Sequence, residues 1–332
     1  MSRRREISIA LQSDKPASEY GELAALVEGY GFDMLSIYGD LLFQPPIVPL
    51  TVAAMATSRI RLGPASLNPY TLHPVEIAGQ VASLDLASNG RAYWGISRGA
   101  WLDSIGIEQD RPITRIRETI DVVEHLLAGK REPFNGSCYT LSEHHALNYN
   151  VQRQRVPLLI GSWGPRLIRM AGERADEIKI GGSTNPDIVP VVAGWLREGC
   201  QDTTCHIVLG AVTIVDEDRD LARAAIRREL ALYLPIVAKL DPTVEIDPEL
   251  VAKMDTLVTQ GDQEAAGKLI PDKLLNRFSF AGNPADIIEQ SEVLFAAGVS
   301  RIEFGTPHGV TGVRGINLLG KQVLPSLRQK ER

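Results

Sequence analysis

Apolar residues along this chain alternate between two spacings. Ile7-Ser8-Ile9-Ala10-Leu11 reads as a strand, and from Ala17 to Tyr30 the residues Tyr20, Leu23, Ala24, Val27 and Tyr30 share one helical face. Gly31 closes that helix, Met34–Tyr38 is a second strand-like run, and Pro46 to Thr57 a second helix. Arg59–Gly63 predicts a third strand, and Pro74 occupies a first helical position ahead of Ile77, Ala78, Val81 and Leu84. Asn89-Gly90 turns into strand Ala92–Ile96, followed by helix Ile113–Leu127. The alternation resumes with strand Leu158–Gly161, a helix from Pro165, strand Glu177–Ile180, a helix near Pro190–Glu198 and strand His206–Val215. Helix Pro284–Ala297, strand Arg301–Gly305 and helix Ile316–Leu327 close it.

Two stretches break the rhythm. Residues 131–156 carry Pro, Gly, Asn and a His pair and read as a loop or hairpin insertion, whereas 218–275 are mostly helical and longer than one crossover needs. Repeated strand-plus-helix units imply parallel strands and right-handed crossovers. Eight such units in 332 residues, with no GxGxxG after the first strand, favour an α/β chain closed as a (β/α)8 TIM barrel. The expected organisation is one domain over 1–332 with insertions between strands four and five and between strands seven and eight.

Composition narrows the function. With 35 Lys+Arg against 41 Asp+Glu the formal charge is −6, which argues against a nucleic-acid binder. Cys138, Cys200 and Cys205 form no disulfide or zinc spacing, and they fit a reducing cytoplasm. The basic start runs directly into a strand, and no long apolar run follows, so neither export nor a membrane span is expected.

Barrel enzymes carry their chemistry on the loops after the strands. Asp40, after strand two, has the chemistry to accept a hydrogen bond from a cofactor ring or move a proton, although a Gly-Asp turn has the same look. Gly161-Ser162-Trp163-Gly164-Pro165 lets a ligand approach the backbone, and Pro165 opens a helix whose free N–H groups suit a phosphate. A glycine turn capped by proline would show the same pattern. Arg98, just past strand four, is the candidate matching cation. Arg91 reads as structural, His73 as a loop or cap residue, and His308 as a substrate contact. Glu143-His144-His145 lacks further ligands at metal spacing, so no metal site is expected.

The string Leu62-Gly63-Pro64-Ala65-Ser66-Leu67-Asn68-Pro69-Tyr70, with Ser83-Leu84-Asp85-Leu86-Ala87-Ser88-Asn89-Gly90-Arg91-Ala92, resembles the methylenetetrahydromethanopterin reductase branch of the luciferase-like superfamily. The likeness continues through Gly161–Pro165, Phe278–Pro284, Gly298–Ser300 and Gly305–Pro307. It implies a barrel with insertions, a homodimer, and reduced deazaflavin F420 or reduced flavin mononucleotide (FMN) as cofactor. A non-prolyl cis peptide would fall at Ala65–Ser66 behind the cofactor ring. Asp40 would be the catalytic contact and Asn68 a support of the strand-three loop. Ser97, Arg98, Gly161, Ser162, Trp163, Gly164 and Pro165 would line the cofactor's tail. Two departures stand out: Ala10 where the reductases have an acidic residue, and Gly39-Asp40 where they have Asp-His. The implied activity is hydride transfer from F420H2 to a C=N, C=C or C=O group of a small organic substrate. The rivals are an FMNH2/O2 monooxygenase and a barrel that has lost its cofactor.

Overall fold

The structure is a computed structural model that describes residues 5–311 and 313–329. Eight parallel strands form the barrel: β1 Glu6–Leu11, β2 Met34–Ile37, β3 Arg61–Pro64, β4 Trp94–Ser97, β5 Leu158–Gly161, β6 Glu177–Gly181, β7 His206–Val215 and β8 Arg301–His308. Hydrogen-bonded ladders run β3-β2-β1-β8-β7-β6-β5-β4. Two isolated parallel bridges, Leu62 to Ala92 and Leu67 to Ile96, bring β3 back to β4 and close the circle. Between them β3 advances by five residues and β4 by four. This one-residue bulge contains the Ala65–Ser66 peptide, which is cis.

The helices packed outside are α1 Ala17–Tyr30, α2 Ile47–Ala56, α3 Pro74–Ala87, α4 Pro112–Leu127, α5 Pro165–Arg174, α6 Ile188–Gly199, α7 Arg219–Ala231 and α12 Pro284–Ala297, with a closing segment from Arg314 to Gln329. That last segment begins before the expected Ile316 and contains a wide π turn over Leu319–Val323. The start of α12 shows how sequence sets a boundary. Asn283 Oδ1 accepts the N–H groups of Ala285 and Asp286, and the Asp286 carboxylate accepts the Asn283 N–H. Pro284 follows in first position and Gly298 ends the helix at φ 106°.

Both insertions fall between the expected strands, four and five and seven and eight, and the helices of the second run on to Phe278. The first holds a small antiparallel hairpin, Phe134–Asn135 with Thr140–Leu141. The second carries, after α7, the helices α8 Leu234–Leu240, α9 Pro248–Thr259, α10 Gln263–Lys268 and α11 Asp272–Phe278, packed around their own apolar cluster. It ends in a strand the sequence pattern does not announce: Phe280–Gly282 pairs with the outer half of β7. Three residues are too few to display a period.

Alternation along the barrel strands sorts side chains into two sets. Ile7, Ile9, Leu35, Ile37, Ile178, Ile180, Ile302 and Phe304 join the core between strands and helices. Their neighbours Ser8, Ser36, Glu177, Lys179, Arg301 and Glu303 fill the barrel and are buried. Arg301 Nε and Nη2 donate to Glu177 at 2.9 and 2.5 Å, and Nη1 donates to Glu303 at 3.1 Å and to Ser8 Oγ at 2.8 Å. Lys179 Nζ pairs with the other Glu303 oxygen. Ser36 Oγ donates to Glu303 at 2.5 Å and lies 2.7 Å from the Tyr93 hydroxyl. Two carboxylates and two cations thus balance in the interior. Burial pushes the Glu303 carboxyl up, but the Lys179 and Arg301 charges overcome it and hold it at about 2.

Removing one member leaves a buried charge uncompensated. Glu303→Gln, which sets Lys179 and Arg301 against Glu177 alone, should cost about 3–5 kcal/mol in urea unfolding. The double change Glu303→Gln with Lys179→Met should recover part of that loss, because it restores neutrality.

Candidate active site

At the C-terminal mouth, the ends of β2, β3, β4 and β5 converge because side chains are missing where loops meet. A Cβ on Gly39 would sit 2.4 Å from the Ser66 carbonyl oxygen, so only glycine lets the β2 loop lie on the cis peptide. Ser66 Oγ donates to Ser97 Oγ at 2.6 Å, and Ser97 Oγ accepts the Gly99 N–H at 3.3 Å. Gly161 completes this corner: a Cβ there would lie 3.5 Å from Ser97 Cβ and 3.8 Å from Ser66 Oγ. Asn68 turns its Oδ1 back on its own loop, accepting from Tyr70 N, Thr71 N and Thr71 Oγ1 at 3.0–3.1 Å.

The groups beyond this corner are polar and accessible. Arg98 is exposed, and among the described residues its side chain makes no hydrogen bond or ion pair; only its carbonyl is engaged, by Gln109 Nε2 at 2.6 Å. Ser162 Oγ accepts the Gly164 N–H at 2.9 Å and keeps its own proton for another partner. Gly164 caps α5 with Pro165 next, and no side chain caps that helix start. Trp163 is spent on architecture, its Nε1 donating to the Gly181 carbonyl at 2.9 Å. On the other side of the cis peptide, Asp40 is exposed and accepts a hydrogen bond from Gln12 Nε2 at 2.9 Å.

The structure brings Ser66, Ser97 and Gly161 into contact, with Arg98 and the α5 start in the adjoining loops and Asp40 across the Gly39–Ser66 contact. It does not leave His308 open to a substrate, contrary to the sequence expectation. His308 is buried at φ 72°, and its Nε2 lies 3.2 Å from the Phe304 carbonyl. The cis Thr306–Pro307 bond just before it accompanies this inward turn. His73 caps α3, accepting the Val75 N–H, and Arg91 holds four carbonyls and the Thr57 hydroxyl at the opposite end of the barrel. Glu143, His144 and His145 are exposed.

Sequence reasoning passed over Tyr38, Lys179, Tyr233 and Val237. The Tyr38 ring lies over the Lys179 ammonium, 5.2 Å from its centre, and a Cβ on Gly305 would meet the phenol oxygen at 2.6 Å. Burial first, then the charges of Glu303 and Asp40, raise the Tyr38 phenol well above its ordinary range and keep its proton in place. Tyr233 feels the Asp40 charge, and Val237 Cγ1 packs against the β6-end residue Gly182, so the second insertion reaches the mouth. The available signal was the period-two alternation of charge in Glu177-Ile178-Lys179-Ile180 and Arg301-Ile302-Glu303-Phe304.

The whole is thus a parallel eight-stranded barrel with a bulged corner after its third strand. The model of the luciferase-like monooxygenase family matches residues 4–301, and the chain belongs to that family. It is 30% identical over 330 residues to a 5,10-methylenetetrahydromethanopterin reductase of Archaeoglobus fulgidus, covering 94% of this chain and 98% of the relative. An F420-dependent glucose-6-phosphate dehydrogenase of Nakamurella multipartita is 26% identical, with 94% and 93% covered. The solved F420-dependent tetrahydromethanopterin reductase of Methanopyrus kandleri superposes with a TM-score of 0.89 at 26% identity, over 98% of this chain and 99% of that one. Among the described residues no helix is long and apolar enough to cross a membrane.

Burial lowers the His308 imidazole to about 4 from an ordinary 6.5, so in acid the unfolded chain takes a proton that the folded one refuses. Stability should therefore fall as the pH drops through that window, by roughly 2 kcal/mol between 6.5 and 5. Urea midpoints at the two pH values should show this loss in the wild type and a much smaller one in His308→Gln.

Proposed function

We propose that the protein is an F420-dependent oxidoreductase, and that reduced deazaflavin in the barrel mouth supplies a hydride to a C=N, C=C or C=O group of an organic substrate. The observation that carries this reading is Arg98, without a side-chain partner among the described residues, on the β4 loop next to the Ser66–Ser97–Gly161 corner, with the uncapped start of α5 on the neighbouring β5 loop. An anion at that corner would meet the free N–H groups of α5, with the Arg98 guanidinium and the Ser162 hydroxyl as further donors. Ser97, Gly164 and Pro165 shape the same wall, with Trp163 fixing its loop and Asn68 its neighbour. These residues would hold the phosphate-bearing tail of such a cofactor, and Ala65 and Ser66 would support its ring. Asp40 would contact the ring or pass a proton. The chain's part is binding and orientation, and the redox chemistry is the cofactor's.

Ala10 is fully buried in β1 and offers no ionisable group, which supports an acceptor other than a pterin. The relatives whose names include F420 favour deazaflavin over FMN and speak against a barrel that has lost its chemistry. We further propose a homodimer in the cytoplasm. Leu42, Phe43, Val48 and Met55, on and before α2, are exposed, Met55 by 79%, and form an apolar surface that a second copy would cover. The three cysteines are free thiols, in keeping with a reducing compartment.

Equilibrium titration followed by fluorescence tests the cofactor. Micromolar F420 binding with weaker FMN binding is expected, and Arg98→Ala should weaken F420 by about tenfold, the worth of one charge-assisted hydrogen bond. Tighter binding of FMN would move the case to oxygen chemistry, and binding of neither would sink it. Sedimentation should give a dimer for the wild type and a monomer for Met55→Asp.

A further inference from the structure

Helix α8 is apolar on nearly every side. Leu234, Pro235 and Ala238 are buried, and Leu234 and Ala238 belong to the core of the second insertion. At about 100° per residue, Ile236, Leu240, Tyr233 and Val237 follow one another around the remaining arc. Ile236 and Leu240 are 46% and 47% exposed, a costly place for large aliphatic side chains. A helix apolar all round is ordinarily covered on every side.

Two members of this arc are tied to the barrel mouth. Val237 Cγ1 packs against Gly182 at the end of β6, and Tyr233 lies close enough to Asp40 for its phenol to feel that charge. Nearby cations are committed elsewhere: Lys179 to Glu303, Arg277 to Asp187, and both Arg223 and Arg227 to Asp272. Lys239 falls outside the arc. With Arg98 of the β4 loop proposed for the cofactor's anionic tail and the exposed Lys239 off the arc, the apolar carbon of this face suits a ligand of matching character.

We propose that this face of α8 is the substrate wall and selects an uncharged, apolar acceptor, such as a cyclic enone or ketone, over a phosphorylated or polycarboxylate one. The inference rests on the oxidoreductase reading and adds the substrate class to it. Tyr233 and Val237 place the wall over the mouth; Ile236 and Leu240 extend it outward.

The test uses the uncharged dye Nile red, titrated into the full chain with and without F420, alongside F420 affinity itself. The dye should bind with enhanced fluorescence and be displaced by 2-cyclohexen-1-one but not by glucose 6-phosphate. Ile236→Glu, at a half-exposed position where a carboxylate reaches water, should weaken dye binding by about tenfold, equivalent to about 1.4 kcal/mol. Its F420 affinity should stay within about twofold and Ile236→Leu should behave as wild type, since neither touches the cofactor corner. The proposal is overturned if the dye fails to bind, if Ile236→Glu leaves it unchanged, or if glucose 6-phosphate displaces it and the enone does not. A change of molar mass in Ile236→Glu would assign the face to a second copy of the chain and overturn it equally. Dye binding with the expected variant response, but without F420 binding, would sink the cofactor reading while leaving the apolar wall in place.

Discussion

Two carboxylates and two cations sealed inside a barrel cannot be left partly paired. Glu177, Arg301, Glu303 and Lys179 meet this constraint by closing a neutral set, with Ser8 and Ser36 taking up further hydrogen-bonding capacity. Each ion would lose several kcal/mol of hydration on entering the interior alone, so the arrangement tolerates little slippage. A one-residue shift of β6 or β8 would turn these charges into the apolar shell outside. The network therefore holds the register of two strands, while hydrophobic burial between strands and helices supplies the bulk of the stability.

The Lys179 end of this network is linked by contacts to the mouth. Lys179 lies under the Tyr38 ring, Tyr38 reaches across to Gly305, and the loop it starts presses Gly39 on the Ser66 carbonyl. From there Ser66, Ser97 and Gly161 form one continuous corner. The position of the cis peptide is thus linked by direct contacts to the buried ion pairs. One half of the mouth, β3 to β5, is polar and glycine-lined. On the β6 side, Val237 of α8 lies against Gly182. A site divided as proposed would separate the holding of a charged cofactor from the choice of an acceptor.

His308 illustrates how residue type and place along the chain can mislead. The sequence pattern ends the last strand at Gly305 and leaves His308 on the loop beyond, where a histidine invites a chemical role, yet the strand runs on to His308 itself and burial keeps the imidazole neutral. Its pairing with Ile214 of β7, past an irregularity after Gly305, was not legible in the sequence.

The sequence by itself determined the eight strands, most helices and both insertions, because periods of two and 3.6 record which side of an element faces apolar neighbours. It also located the glycine turn at 161–165, Asp40 and Arg98, because loops after barrel strands are named by their order along the chain. Only the tertiary structure decided which charge meets which. Glu177 and Arg301 are 124 residues apart, as are Lys179 and Glu303, and alternation shows that each faces inward without showing its partner. The short strand Phe280–Gly282 and the one-residue bulge at Ala65–Ser66 depend on a neighbouring strand for their existence. The exposed face of α8 was hidden for a related reason: an apolar residue reads as core until the packing shows which cores are already full.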